Sequence, residues 1–145
     1  MNKSLKVVLL MSLLMSMFGT AVFAADTYEN PTNDQPATAY YKTQGQIFGG
    51  YLMANDYDWY RFTTSNTASQ TVSFAPSDNQ SYRILVFENP NSGNGPLAML
   101  SVSNSAGSYQ SLQFSAVAGK EYYVLVTSGG PLSGIPHYSL YIANQ

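Results

Sequence analysis

Alternation of apolar and polar side chains with period two, in runs too short for a helix to use, constrains this chain more than any other feature. Over 70–74, Val72 and Phe74 fall on one face while Thr71 and Ser73 fall on the other. Over 111–116, Leu112, Phe114 and Ala116 oppose Ser111, Gln113 and Ser115; over 137–143, Tyr138, Leu140 and Ile142 oppose Ser139, Tyr141 and Ala143. Successive side chains of a strand point to opposite faces, so each run predicts an antiparallel strand with one dry and one wet side. Two more runs, ILVF at 84–87 and YYVLV at 122–126, are apolar throughout. They predict central strands, covered on both sides or carrying aromatics outward. The stretches 46–52, 59–63 and 97–102 complete eight candidate strands.

Clusters of Gly, Pro, Asn, Asp and Ser separate these runs, at 54–56, 64–69, 76–80, 89–96, 104–108, 118–120 and 128–136. Eight short strands so spaced predict an all-β domain, an antiparallel sandwich or barrel. Residues 38–43 have room for one turn of helix, and no internal repeat is visible.

The first 24 residues read differently. Lys3 and Lys6 precede the uncharged stretch VVLLMSLLMSMF, and GTAVFA follows, with Val22 and Ala24 suited to the −3 and −1 positions of a signal-peptidase site. A basic start, a short apolar run and a small-residue exit make a secretory signal peptide. A membrane anchor would need about 20 apolar residues. The expected organisation is therefore a signal peptide over 1–24, a polar lead-in over 25–38 and one β-sandwich domain over 39–145, secreted and extracellular. Processing would leave 121 residues with four basic and eight acidic groups, net −4. That balance disfavours nucleic acid and anionic membranes as partners. With no Cys and one His in the chain, disulfides, thiolate chemistry and a multi-histidine metal site are excluded.

Three pieces resemble one family. ENPTNDQPATA at 29–39 looks like an E-x-N-D-x-x-x-A-T-A lead-in with two residues inserted or changed. DYDWYRF at 56–62 is close to D-x-D-W-Y-x-F, and AGKEYYVLV at 118–126 is close to A-G-x-Y-Y-V-x-V, with YSLYI at 138–142 closing the domain. In this order they resemble the bacterial pre-peptidase C-terminal domain family, to which the collagen-binding domains of bacterial collagenases are related. The resemblance implies a jelly-roll-like β-sandwich that is not an enzyme. Such domains usually trail a secreted protease and assist its secretion, stability or adhesion. Here the module is expected to stand alone behind its own signal peptide, so a protease partner would be separately encoded.

Five of the eight acids lie between Asp26 and Asp58, with Lys42 the only cation among them. Calcium takes six to eight oxygen ligands, several of them anionic. The candidate ligands are Glu29, Asn33 and Asp34 from the lead-in, with Asn55, Asp56 and Asp58 from the turn before the DWYRF strand. A shared Ca²⁺ would clamp the lead-in to the sandwich and add to its stability. In calcium-binding relatives the ligands come from these two places, and on matching positions the resemblance carries over Glu29, Asn33, Asp34 and Asp58. Asn55 stands where a carboxylate is expected, and Pro31 where some relatives have a second Glu. The alternative reading makes these Asp and Asn turn formers, with Asp58 capping its own turn.

All twelve Tyr lie beyond residue 24. Tyr60, Tyr122 and Tyr138 are expected in the core; Tyr51, Tyr57, Tyr109, Tyr123 and Tyr141 are the candidates for a ligand surface, because their neighbours by alternation look inward. Trp59 reads as a packing anchor and His137 as an exposed residue at a strand start. No Ser sits in a G-x-S-x-G elbow, and an Asp56–Asp58 carboxylate pair would share a face only if the turn were extended. The expected function is a secreted, non-catalytic binding or accessory module adhering to an extracellular protein or polymer. Its rivals are a chaperone or inhibitor of an exported protease and a carbohydrate-binding module.

Overall fold

The structure, a computed structural model, describes residues 33–143; the segment 1–24 read as a signal peptide, and Glu29, lie outside the described residues. A 3₁₀ turn over Pro36–Thr38 opens on a proline, whose fixed φ suits that position. Nine strands follow: β1 (Tyr40–Tyr41), β2 (Ile47–Tyr51), β3 (Tyr57–Thr63), β4 (Ala68–Pro76), β5 (Tyr82–Phe87), β6 (Ala98–Val102), β7 (Gln110–Ala116), β8 (Glu121–Ser128) and β9 (His137–Ile142). They form two sheets, one of five strands in the order β1-β3-β8-β5-β6 and one of four in the order β2-β9-β4-β7. The two stack face to face as a β-sandwich.

Every run of alternating residues became a strand, in the expected phase. Val72, Phe74, Leu112, Phe114, Leu140 and Ile142 of the four-stranded sheet are buried against Phe62, Ile84, Val86, Tyr122, Val124 and Val126 of the five-stranded one. Aromatic pairs cross the gap: Phe114 on Tyr122 at 5.2 Å, Phe74 on Tyr82 at 5.3 Å and Phe48 on Tyr60 at 5.0 Å between ring centroids. The two all-apolar runs are neighbouring inner strands, β8 and β5, paired antiparallel from Tyr82↔Ser128 to Phe87↔Tyr123. Their outward residues Leu125, Leu85, Phe87 and Tyr123 form a second small cluster with Trp59 and Ala39. Trp59 is the packing anchor, its ring 5.5 Å from that of Phe87.

The lead-in differs from expectation. The turn of helix ends at Thr38, and Tyr40–Tyr41 run parallel to Tyr60–Arg61 as a short edge strand. The free edge of β3 explains this, since its backbone groups can pair with any extended segment laid beside them. Lys42 N–H donates to the Arg61 carbonyl at 2.8 Å, and Trp59 N–H donates to the Asn33 carbonyl at 2.9 Å. Strand β3 also begins two residues earlier than the sequence predicts, because Asp58 is an inward strand residue and not a turn residue.

The alternation of β9 can be tested directly. Leu140→Ala, at a fully buried position, is expected to cost about 2–5 kcal/mol, whereas Ser139→Ala next to it should stay within about 0.5 kcal/mol. Urea denaturation of the two variants measures both values.

Candidate functional site

Asp58 turns into the sandwich, where it has no solvent exposure. Its Oδ1 accepts from the Asn33 side-chain amide at 3.1 Å, and its Oδ2 accepts from the Tyr138 hydroxyl at 2.6 Å. The Tyr60 and Tyr138 hydroxyl oxygens are 2.6 Å apart. Since Tyr138 gives its one proton to Asp58, Tyr60 must donate to Tyr138. The chain Tyr60 to Tyr138 to Asp58, joined by Asn33, ties both sheets and the lead-in together. Burial first, then the neighbouring Tyr60 and Asp58, hold the Tyr138 phenol well above its ordinary pKa, so it stays neutral. Glycine is required beside this pair. A Cβ on Gly50 would stand 2.5 Å from the Tyr138 hydroxyl oxygen and 2.7 Å from that of Tyr60.

The other acids lie apart from this network. Asn55 takes a left-handed conformation, φ 67°, in the turn before β3. Asp56 folds back on that turn, its carboxylate accepting from Met53 N–H at 3.1 Å and Tyr57 N–H at 2.9 Å. Asp34 is exposed beside it. Desolvation first, then the charge of Asp56 and a hydrogen bond with its carboxyl, raise the Asp34 pKa above the usual carboxylate value. The six residues named for calcium thus divide. Asn33 and Asp58 bond each other in the interior, Asp34 and Asp56 face each other at the surface next to Asn55, and Glu29 lies outside the described residues. Among the described residues, no three of His, Cys, Asp and Glu gather as a metal-binding group. The Asp34–Asp56 pair fits a cation by charge; the Asn33–Asp58 pair already has partners. Asp56 and Asp58 also do not face a common cleft, one being folded onto its turn and the other buried.

The five candidate tyrosines lie on opposite sides of the molecule. Tyr57 and Tyr123 belong to the five-stranded sheet, and the Tyr123 hydroxyl donates to Glu121 at 2.7 Å beside the Arg61–Glu121 ion pair. Tyr51 and Tyr141 point outward from the four-stranded sheet, and Tyr109 stands just before its edge strand β7. A groove of about 370 Å³ opens on this second face. Its floor is one register row of small residues, Gly49 opposite Ser139 opposite Ala75, across three adjacent strands. The row on one side holds Tyr51 and His137, whose ring centroids lie 4.0 Å apart with the planes tilted by 55°; the row on the other holds Ile47 and Tyr141. Tyr109 and Gly107 close the end beyond β4. Of the tyrosines singled out in the sequence, Tyr51 and Tyr109 line this groove and Tyr141 does not, and the rest of the lining was missed. His137, Gly49 and Ser139 matter through their register, which no single strand's pattern reveals.

No family model matches the sequence, and no curated protein does. Among solved structures, the chain is similar to the pre-peptidase C-terminal domain of a collagenase from Bacillus anthracis. The TM-score is 0.58 at 18% identity, over 72% of this chain and 93% of that one. A periplasmic inhibitor of g-type lysozyme from Aeromonas hydrophila aligns at TM-score 0.40 and 16% identity, over 72% of this chain and 98% of that one. A carbohydrate-binding module, CBM36, in complex with calcium and xylotriose aligns at TM-score 0.40 and 12% identity, over 68% and 91%. The chain therefore has the fold of a pre-peptidase C-terminal domain, as its three motifs imply.

Two predictions follow from this geometry. Tyr138→Phe removes the donor to a buried carboxylate and should cost about 1–3 kcal/mol in chemical denaturation. Asp34→Asn should raise the melting temperature at pH 7 in EGTA by removing a repulsion. In the native chain Asp34 binds its proton more tightly when folded, so lowering the pH through its raised pKa should stabilise the native chain relative to the variant. The advantage of the variant should therefore shrink between pH 7 and pH 4.

Proposed function

We propose that this chain is an exported, non-catalytic binding module that adheres to an extracellular polymer through the outer face of its four-stranded sheet. The observation that carries this reading is the groove between Tyr51 and Tyr109, an open concavity with aromatic walls. Tyrosine gives rigid amphipathic contact area with few rotamers to freeze, and the Tyr51–His137 ring contact is already formed before any ligand arrives. The fold shared with a collagenase's pre-peptidase C-terminal domain agrees with an accessory role. Export rests on the signal-peptide pattern of residues 1–24; among the described residues, no helix is long and apolar enough to cross a membrane.

Calcium enters this reading as a stabiliser. The ion would be held by Asp34 and Asp56, with Asn55 beside them and Glu29 supplied by the lead-in. It would supply the positive charge that the two facing carboxylates lack, while Asp58 and Asn33 keep their interior role. Melting curves test this. Millimolar Ca²⁺ should raise the melting temperature over EGTA, and Asp34→Asn should abolish that shift; equal curves for the native protein would remove the ion from the account.

Adhesion is tested by retention of the processed protein, residues 25–145, on insoluble collagen, cellulose and peptidoglycan. Retention on at least one, weakened by Tyr51→Ala and Tyr109→Ala, is expected. Failure on all three, together with co-purification of an exported protease, would favour a chaperone or inhibitor role instead.

A further inference from the structure

We infer that the trough across β2, β9 and β4 is a subsite for a neutral sugar polymer. This rests on the proposed binding role and names its ligand class. Three features of the site carry it. First, the trough is built by register. The small-residue row Gly49–Ser139–Ala75 lies between the row of Tyr51 and His137 and the row of Ile47 and Tyr141. Standard strand spacings make such a floor about 10 Å long across three strands, with about 13 Å between the Cα atoms of the flanking rows. Its depth at Gly49 is fixed by packing, because a Cβ there would stand 2.8 Å from the Tyr138 carbonyl oxygen.

Second, the lining contains no Asp, Glu, Lys or Arg. Phosphate, sulfate, uronate or a charged peptide would find no counter-charge, so complementarity selects a neutral ligand. The polar groups that are present are hydroxyls and an imidazole, from Ser139, Ser77, Tyr51, Tyr109 and His137. These can donate and accept, as sugar hydroxyls do. The Tyr51 ring, held against a tilted His137 ring with centroids 4.0 Å apart and 55° between their planes, offers an apolar surface to the C–H face of a sugar ring.

Third, the direction of the trough disfavours a peptide. A peptide adding to the free edge of β2 would run along that strand, whereas the trough runs across it. Beneath the floor, β9 is paired on both sides, with β2 and with β4. A peptide main chain pressed across Gly49 and Ala75 would leave N–H and C=O groups facing the floor without partners, whereas a sugar ring can lay its C–H face there and turn its hydroxyls to the walls.

The test is a titration of ¹⁵N-labelled protein, residues 25–145, with xylohexaose, cellohexaose and chitohexaose, followed by amide shifts. Saturable shifts are expected at Gly49, Tyr51, His137 and Ser139 with at least one of the three. Tyr51→Ala should weaken that affinity about tenfold. Ser139→Leu, which fills the floor from an outward strand position, should abolish it, and Met99→Ser on the opposite sheet should leave it unchanged. The spectrum of each variant shows whether it has folded. Saturable shifts centred on the five-stranded sheet, or none with any of the three sugars, would overturn the inference. If the protein is then still retained on insoluble collagen through Tyr51, the adhesive role survives and only the sugar assignment falls. Retention on no polymer overturns both.

Discussion

A carboxylate sealed inside a β-sandwich must be satisfied by the protein, and much of this molecule is arranged around doing so for Asp58. Its two oxygens reach different parts of the chain, the lead-in through Asn33 and the four-stranded sheet through Tyr138. Tyr138 in turn needs Tyr60 beside it, and the pair of hydroxyls leaves room only for glycine at position 50. Hydrophobic burial holds the sheets together without direction; this polar chain fixes how the lead-in docks and how closely Gly50 of β2 approaches the paired hydroxyls. Loss of one partner removes a bond from a buried polar group that remains, so the members of the network are coupled.

The same docking makes the two outer faces of the sandwich unequal. On the five-stranded side the lead-in lies along β3 at one edge of the sheet, and Ala39 joins Trp59, Leu125, Phe87 and Tyr123 in a cluster that covers that part of the outer surface. Arg61 adds a hydrogen bond from its Nε to the Ala39 carbonyl at 3.2 Å. On the four-stranded side no such strap is present among the described residues, and the row of small residues leaves a trough between aromatic walls. Preorganised aromatic rings around a hollow that water must otherwise fill are the arrangement a ligand can exploit with little ordering cost.

Strands were easy to read from this sequence because each buries one face, and alternation records that burial residue by residue. The phase of Val72 and Phe74, or of Leu140 and Ile142, needed no tertiary information. Asp58 did. An aspartate between Tyr57 and Trp59 reads as a turn residue, and only Tyr138, 80 residues away, explains its inward position. The groove was half legible for the same reason. Tyr51 and Tyr109 were candidates from the sequence and line it, but the alignment of Gly49 with Ser139 and Ala75 depends on cross-strand register, which is set by the packing of both sheets. His137 looked like an unremarked strand start until its ring met that of Tyr51. The cluster of acids near the lead-in was visible as composition, yet its division into an interior pair and a surface pair is a property of the fold.

The central claim is that ligand engages the open face of the four-stranded sheet and not the strapped face opposite. Amide hydrogen exchange, recorded for the processed protein alone and bound to the polymer that retains it, tests this most directly. The account predicts slowed exchange confined to β2, the start of β9 and the segment around Tyr109, with β5, β6 and β8 unchanged. Slowed exchange over β5 and β6, leaving β2 and β9 as they were, would contradict it.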